Sequence, residues 1–320
     1  MRPVNNLAVR MRSIDPSSYV VYVGFLVIFI VFGFLLRDVG FLTPRNLLNI
    51  VQQTAPITVM AVATVFVFTA GEIDLSIGSI VANAALVAAV VMQGYPWPLA
   101  VLAGLLVGLA IGILNGALVA YLKLPSFLVT LATMGLFAGT ARWLTDLRSI
   151  PVTDPTFTGL FGSGSLLGIP SLVIWTAGVI AVGQFVFRSR RFGAHVHAVG
   201  DNPAAARATG IRVPHIRFAV IVLSGTCAAL AGLLYAGRLN AARYTFGELD
   251  LLTVIAAVIV GGTRLNGGTG TVLGALIGSL MMGMLNNGLI LMGLDVSQQM
   301  IIRGGIILGA VALTLRDPSR

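Results

Sequence analysis

Charge is what this sequence has least of. Asp, Glu, Lys and Arg make up 10% of its 320 residues, against about 25% in an average soluble domain. So few charges cannot cover a water-facing surface, which excludes a free soluble domain. Cysteine is nearly absent too. Cys227 is the only one, and it lies in an apolar run, so neither a disulfide framework nor a Cys-based metal site is available. The three histidines, His195, His197 and His215, share one polar segment without metal-ligand spacing. No cofactor and no metal are expected. The net charge of +9 is not gathered on a folded soluble face, as a nucleic-acid partner would require.

What the chain has in abundance is apolar length. Hydrophobic residues are 57% of it, and 38 residues are glycine, a residue that lets membrane helices approach closely. A span needs about 20 apolar residues. Ten candidate spans follow: 19–36, 47–70, 75–92, 97–122, 126–142, 172–187, 216–238, 250–262, 272–292 and 298–315. The expected fold is an all-α polytopic bundle in a lipid bilayer, a single transmembrane domain over 1–320 with the membrane region at 19–315. The eighth span is short, and the join before the third carries two carboxylates, so both suit partial or broken helices. The first apolar run is long enough to span and no small-residue cleavage site follows it, which predicts a retained helix rather than a signal peptide.

Orientation follows from the basic residues. With the N-terminus inside, thirteen of the 20 Lys and Arg fall in inner segments and six in outer ones, Arg303 remaining inside the last span. The positive-inside rule then places both termini in the cytoplasm. Trp97, Trp143 and Trp175 all fall at outer ends of spans, as an interfacial belt requires. Residues 143–171 are expected outside and 188–215 inside. Gly104, Gly108, Gly112 and Gly116 form a smooth stripe along one helix, and Gly274 and Gly278 do so in another.

Three polar segments carry candidate chemistry. In Gly71-Glu-Ile-Asp-Leu-Ser-Ile-Gly78, Glu72 and Asp74 sit between apolar spans. They read either as caps for the following helix or, with Ser76, as a pathway or gate element. Asp201-Asn-Pro-Ala-Ala-Ala-Arg-Ala-Thr-Gly-Ile211 has complete helix punctuation: Asn202 as N-cap, Pro203 at the first position, Ala205 and Arg207 within, Gly210 as the stop. The run is too short to stand alone in water, so it reads as a plain connector or as a helix held by a partner protein. Gly261 to Gly270 is glycine-rich but lacks the Walker ending, and a tight inner turn accounts for it. Among in-span amides, Asn115, Asn286 and Asn287 stand beside glycine stripes. They suit either an uncharged hydroxylated solute or interhelical hydrogen bonds.

These residues together resemble the permease subunits of bacterial ATP-binding-cassette sugar importers of the ribose, xylose, arabinose and galactose type. The stretches are Gly71–Ser79, Ala198–Ile211 and Val260–Thr271 with Leu285-Asn-Asn-Gly288. The likeness runs from about Asn46 to Leu315. The family often has glycine where Glu72 stands. The resemblance implies an inner-membrane subunit that gives a monosaccharide or small polyol its path and does no hydrolysis itself. Its implied partners are a cytoplasmic ABC ATPase, a periplasmic sugar-binding protein and a second permease copy, identical or not. Residues 198–211 match the ATPase-coupling segment. The competing expectations are a proton-coupled transporter using Glu72 or Asp74, and an intramembrane enzyme, for which no catalytic pairing is visible.

Overall fold

The computed structural model describes residues 17–315. Arg2, Arg10, Arg12, Arg316 and Arg320, on which the expected side of the termini partly rests, lie outside the described residues. Helix α1 covers Ser17–Leu35, α2 Pro44–Thr69, α3 Ile77–Met92, α4 Trp97–Ala120 and α5 Ser126–Thr145. Beyond α5 come a one-turn helix, α6 (Pro155–Thr158), and a π turn over Gly159–Ser163. Two small antiparallel ladders accompany them: β1 (Ile150–Pro151) pairs with β4 (Ala241–Ala242), and β2 (Ser165–Leu166) with β3 (Ile169–Pro170). The remaining helices are α7 (Ser171–Ser189), α8 (Arg191–Asp201), α9 (Pro203–Ala208), α10 (Val213–Leu239), α11 (Asp250–Val260), α12 (Val272–Leu291) and α13 (Val296–Leu315).

Six of these helices, α2, α4, α5, α7, α10 and α12, are long and apolar enough to cross a membrane by length and composition. Apolar α3 and α11 have only 16 and 11 residues. At ~1.5 Å per residue both fall short of a hydrocarbon core about 30 Å thick. Helix α11 is the short eighth span of the sequence, and α3 follows the carboxylate-bearing join.

Helix α2 is the hub. Pro44 opens it, and the Thr43 hydroxyl caps it by accepting the Asn46 N–H at 3.3 Å. Nearly every residue from Thr54 to Thr69 is buried, against α7, α10, α11 and α12. The peripheral helices α1, α4, α5 and α7 instead present Phe34, Leu102, Leu106, Leu128, Leu136 and Val182 outward. In water that apolar area would forgo about 25 cal/mol per Å²; in lipid it forgoes nothing.

The glycine stripe of α4 meets α10. A Cβ on Gly108 would collide with the Gly225 carbonyl oxygen, and one on Gly225 would come within 2.5 Å of the Gly108 oxygen. Backbones that close can be built only from glycine. Gly274 and Gly278 bring α12 against Gly261 and Ala257, at and beyond the end of α11, in the same way.

The connections gather at two ends. At one, Gly71 approaches Gly200, the Gly268 N–H donates to the Thr69 oxygen at 2.9 Å, and the Tyr121 ring lies 6.2 Å from that of His215. At the other, β1 meets β4, Arg142 pairs with Glu248, and the Trp175 indole N–H donates to the Leu160 carbonyl at 3.0 Å. Residues 188–215, expected as an inner loop, are mostly helical. Buried Gly193, Val196 and Val199 recur every three residues along α8 and give it one packing face.

Candidate functional site

The end that carries α9 is built from three pieces. The first is α9 itself. The Asn202 side-chain oxygen accepts the N–H groups of Ala204 and Ala205, both at 3.0 Å, and Pro203 follows at the first helical position. At the other end Gly210 takes φ +88°. The Gly210 N–H donates to Arg207 and the Ile211 N–H to Ala206, the paired bonds of a Schellman stop. Only Ala206 is buried within this helix, while Asn202, Ala205, Arg207 and Gly210 are exposed. The helix is therefore complete, pinned by one methyl group, and open on the rest of its surface.

The second piece is the brace beneath it. Gly200 on α8 lies so close to the Thr69 carbonyl that a Cβ there would overlap it. The loop from Gly261 to Gly270 closes over the same point, with Gly262, Gly267 and Gly268 all at positive φ. The His197 ring packs 4.7 Å from Phe187, and its Nδ1 lies 2.8 Å from the Gly268 carbonyl. A carbonyl only accepts, so Nδ1 carries the proton. The tight turn expected for this glycine-rich loop thus also locks α8 to the end of α2.

The third piece is the break between α2 and α3. Gly71, at φ +79°, ends α2. The chain then runs non-helically to Ser76 while buried in protein. Exposed backbone groups at such depth need partners. The Ile73 N–H donates to Ser126 Oγ at 3.1 Å, and the Thr130 hydroxyl donates to the Ile73 carbonyl at 3.3 Å, both from α5. Asp74 Oδ1 accepts the Ser76 N–H at 2.9 Å and its hydroxyl at 2.6 Å, and the Asn115 amide donates to Ser76 Oγ at 2.9 Å. Glu72 pairs with Arg217 of α10 at 2.8 Å. Five buried atoms at or beside this break, Thr69 Oγ1, Asp74 Oδ2, Asn115 Oδ1, Arg217 Nε and Ser224 Oγ, have no hydrogen-bond partner of good geometry, although Arg217 Nε lies within ion-pair distance of Glu72.

The sequence candidates therefore divide. Glu72, Asp74, Ser76 and Asn115 converge on the break, and Asn202, Pro203, Ala205, Arg207 and Gly210 form the adjoining helix. Asn286 and Asn287 belong elsewhere. Asn287 exchanges two 3.0 Å hydrogen bonds with Asn46 at the start of α2, and Asn286 accepts from Arg303 at 2.7 Å. The partner that sequence reasoning missed is Arg217, which counted only as an inner-loop charge.

A bundle with six helices of membrane-spanning length, a broken element at one end and an exposed short helix beside it describes a multi-pass membrane protein. Comparison with known proteins specifies the class further: residues 46–311 match, and the chain belongs to, the family described as the permease component of the branched-chain amino acid transport system. Individual relatives carry sugar names. The ribose import permease protein RbsC of Bacillus subtilis is 37% identical over 91% of each chain. That of Haemophilus influenzae is 40% identical over 85% of each. The xylose transport system permease protein XylH of Escherichia coli is 31% identical over 94% of this chain and 92% of its own. No solved structure matches the chain.

Proposed function

We propose that this chain is the transmembrane permease subunit of an ATP-driven importer of a monosaccharide or a related small polyol. It works in a bacterial inner membrane as one domain with about ten crossings and both termini in the cytoplasm. A cytoplasmic ABC ATPase supplies hydrolysis, a periplasmic binding protein delivers the sugar, and a second permease copy completes the path. The observation that carries this reading is α9, a fully capped two-turn helix that buries one alanine and leaves the rest for a partner.

The proposed mechanism is population shift. The ATPase changes the permease only to the extent that it binds its outward- and inward-facing states differently. Asn202, Pro203, Ala205, Arg207 and Gly210 form the docking element. Gly200, Thr69 and the loop over Gly267 and Gly268 pass its displacement to the end of α2. Glu72, Asp74, Ser76 and Asn115 lie at the break where α2 and α3 can rearrange. The family's description names amino acids, whereas the relatives' names carry ribose and xylose; identities of 31–40% over most of each chain support the sugar class. Uptake by proteoliposomes holding the permease with its ATPase and binding protein tests this. Ribose or xylose should accumulate only with ATP. Accumulation of leucine instead would overturn the sugar reading.

A further inference from the structure

At the end opposite α9, a polar cavity of about 120 Å³ is enclosed by α2, α10, α11, α12 and α13. Its wall holds Gln53, Tyr235, Arg238, Asp250, Asn286 and Arg303. At about 30 Å³ per water the space holds about four waters, enough to take one hydroxyl-bearing edge of a sugar. Ionisable groups within a helical bundle are costly and need a reason.

Mutual neutralisation is not that reason. Among the described residues, neither guanidinium forms an ion pair with Asp250. Asp250 Oδ2 accepts the Tyr235 hydroxyl at 2.8 Å. Arg303 donates to Asn286 Oδ1 at 2.7 Å and to the Thr253 hydroxyl at 3.3 Å, and Arg238 reaches Asn49 only at 3.5 Å. Each guanidinium has five donors, so both keep unused donors. The carboxylate keeps its second oxygen. The charges are oriented by neutral neighbours and held apart around a space.

We infer that this cavity is a sugar-recognition site within the permease itself, with Asp250, Arg303 and Arg238 contacting hydroxyl groups of the passing solute. The inference rests on the permease reading above. A sugar hydroxyl both donates and accepts, so it is matched by a wall that offers a carboxylate acceptor and guanidinium donors together. Tyr235 and Asn286 are positioning residues, fixing the carboxylate of Asp250 and the fork of Arg303. Two cations facing one anion leave a net positive wall, which also disfavours cationic solutes. The five helices that supply the wall include α2, whose far end meets Gly200, so motion at the docking end can widen or close the cavity.

The test is uptake by proteoliposomes holding the complete transporter, with D-ribose and 2-deoxy-D-ribose as the paired probes. Asp250→Asn and Arg303→Gln should weaken ribose uptake, read as kcat/KM, by about tenfold to a hundredfold, the worth of a hydrogen bond to a charged group. They should also narrow the preference for ribose over its deoxy analogue. Arg303→Lys, which keeps the charge, should recover part of the rate but not the preference. Co-purification of the ATPase checks assembly. If the charge variants fail to assemble, Gln53→Ala decides, because a small neutral wall change should still alter the preference. Equal loss for both sugars marks the residues as structural and overturns the inference. So does unchanged uptake. Absence of ATP-driven sugar uptake in the wild type overturns the permease reading itself and this site with it.

Discussion

Gly200 packs its α-carbon against the carbonyl oxygen of Thr69, leaving no space for a side chain between them. This contact joins the helix that leads into α9 to the last turn of α2, one residue pair away from the break that holds Glu72 and Asp74. A force on α9 therefore reaches the hub of the bundle through backbone rather than through flexible side chains. Bringing two backbones together in this way makes the joint stiff.

Gly200→Ala tests the joint. Overpacking of this kind costs about 1–3 kcal/mol, and here it must push α8 away from α2. The variant should insert and keep its helical content by circular dichroism. It should hydrolyse ATP with less sugar moved per ATP. An unchanged transport-to-hydrolysis ratio would show that α8 carries no signal.

The caps of α9 come next. Asn202→Ala removes the acceptor for two N–H groups and should cost about 1 kcal/mol of helix stability. Gly210→Val places a β-branched residue at φ +88°, a conformation costing on the order of 1–3 kcal/mol. Each should raise hydrogen exchange across residues 203–208 and reduce ATPase co-purification. Retained protection in both variants would mean that neighbours, not caps, hold the helix.

Much of this end is legible in the sequence. Asn-Pro at the start and Gly at the stop define α9 because capping is local chemistry. The glycine stripe of α4 is equally readable, since period-four glycines have few other uses in a span. Helix α8 escaped notice because residues 188–215 are too polar for a span, although Val196 and Val199 already mark its buried face. The Glu72–Arg217 pair joins residues far apart in sequence, and no local pattern encodes it. Asn286 and Asn287 look like one motif but part company, because adjacent helical residues point about 100° apart. The polar cavity was hidden for a similar reason: it takes single residues from five helices, with Arg303 as its only visible hint.

The Glu72–Arg217 pair carries its own prediction. Glu72 is buried while the Arg217 side chain remains about one-third exposed. Glu72→Gln should lower thermal stability modestly, by about 1–3 kcal/mol, since water can partly solvate the freed guanidinium. Arg217→Gln should cost more, because it strands the buried carboxylate. Thermal unfolding in one detergent ranks the two. The reverse order would mean that the pair is not the main partner of Glu72.

The proposed membrane orientation is open to direct chemistry. In a Cys227→Ala background, single cysteines replace Ser163, beside β2, and Ala205, on α9. An impermeant thiol reagent on intact cells should label the first and spare the second. Labelling of the Ala205→Cys protein alone would invert the bundle.

The central claim is that ATP hydrolysis by a docked partner drives sugar through this permease by way of α9. Arg207→Pro addresses it most directly, because proline at this exposed position, past the first turn of α9, removes an intrahelical backbone donor and breaks the helix at a cost of about 3 kcal/mol without touching the spans. Proteoliposomes holding the wild-type transporter should accumulate sugar with ATP and ignore a protonophore, and the proline variant should assemble as a membrane protein yet fail to accumulate sugar. Full ATP-driven uptake by the variant, or wild-type uptake that needs no ATP and collapses with the protonophore, would contradict the account.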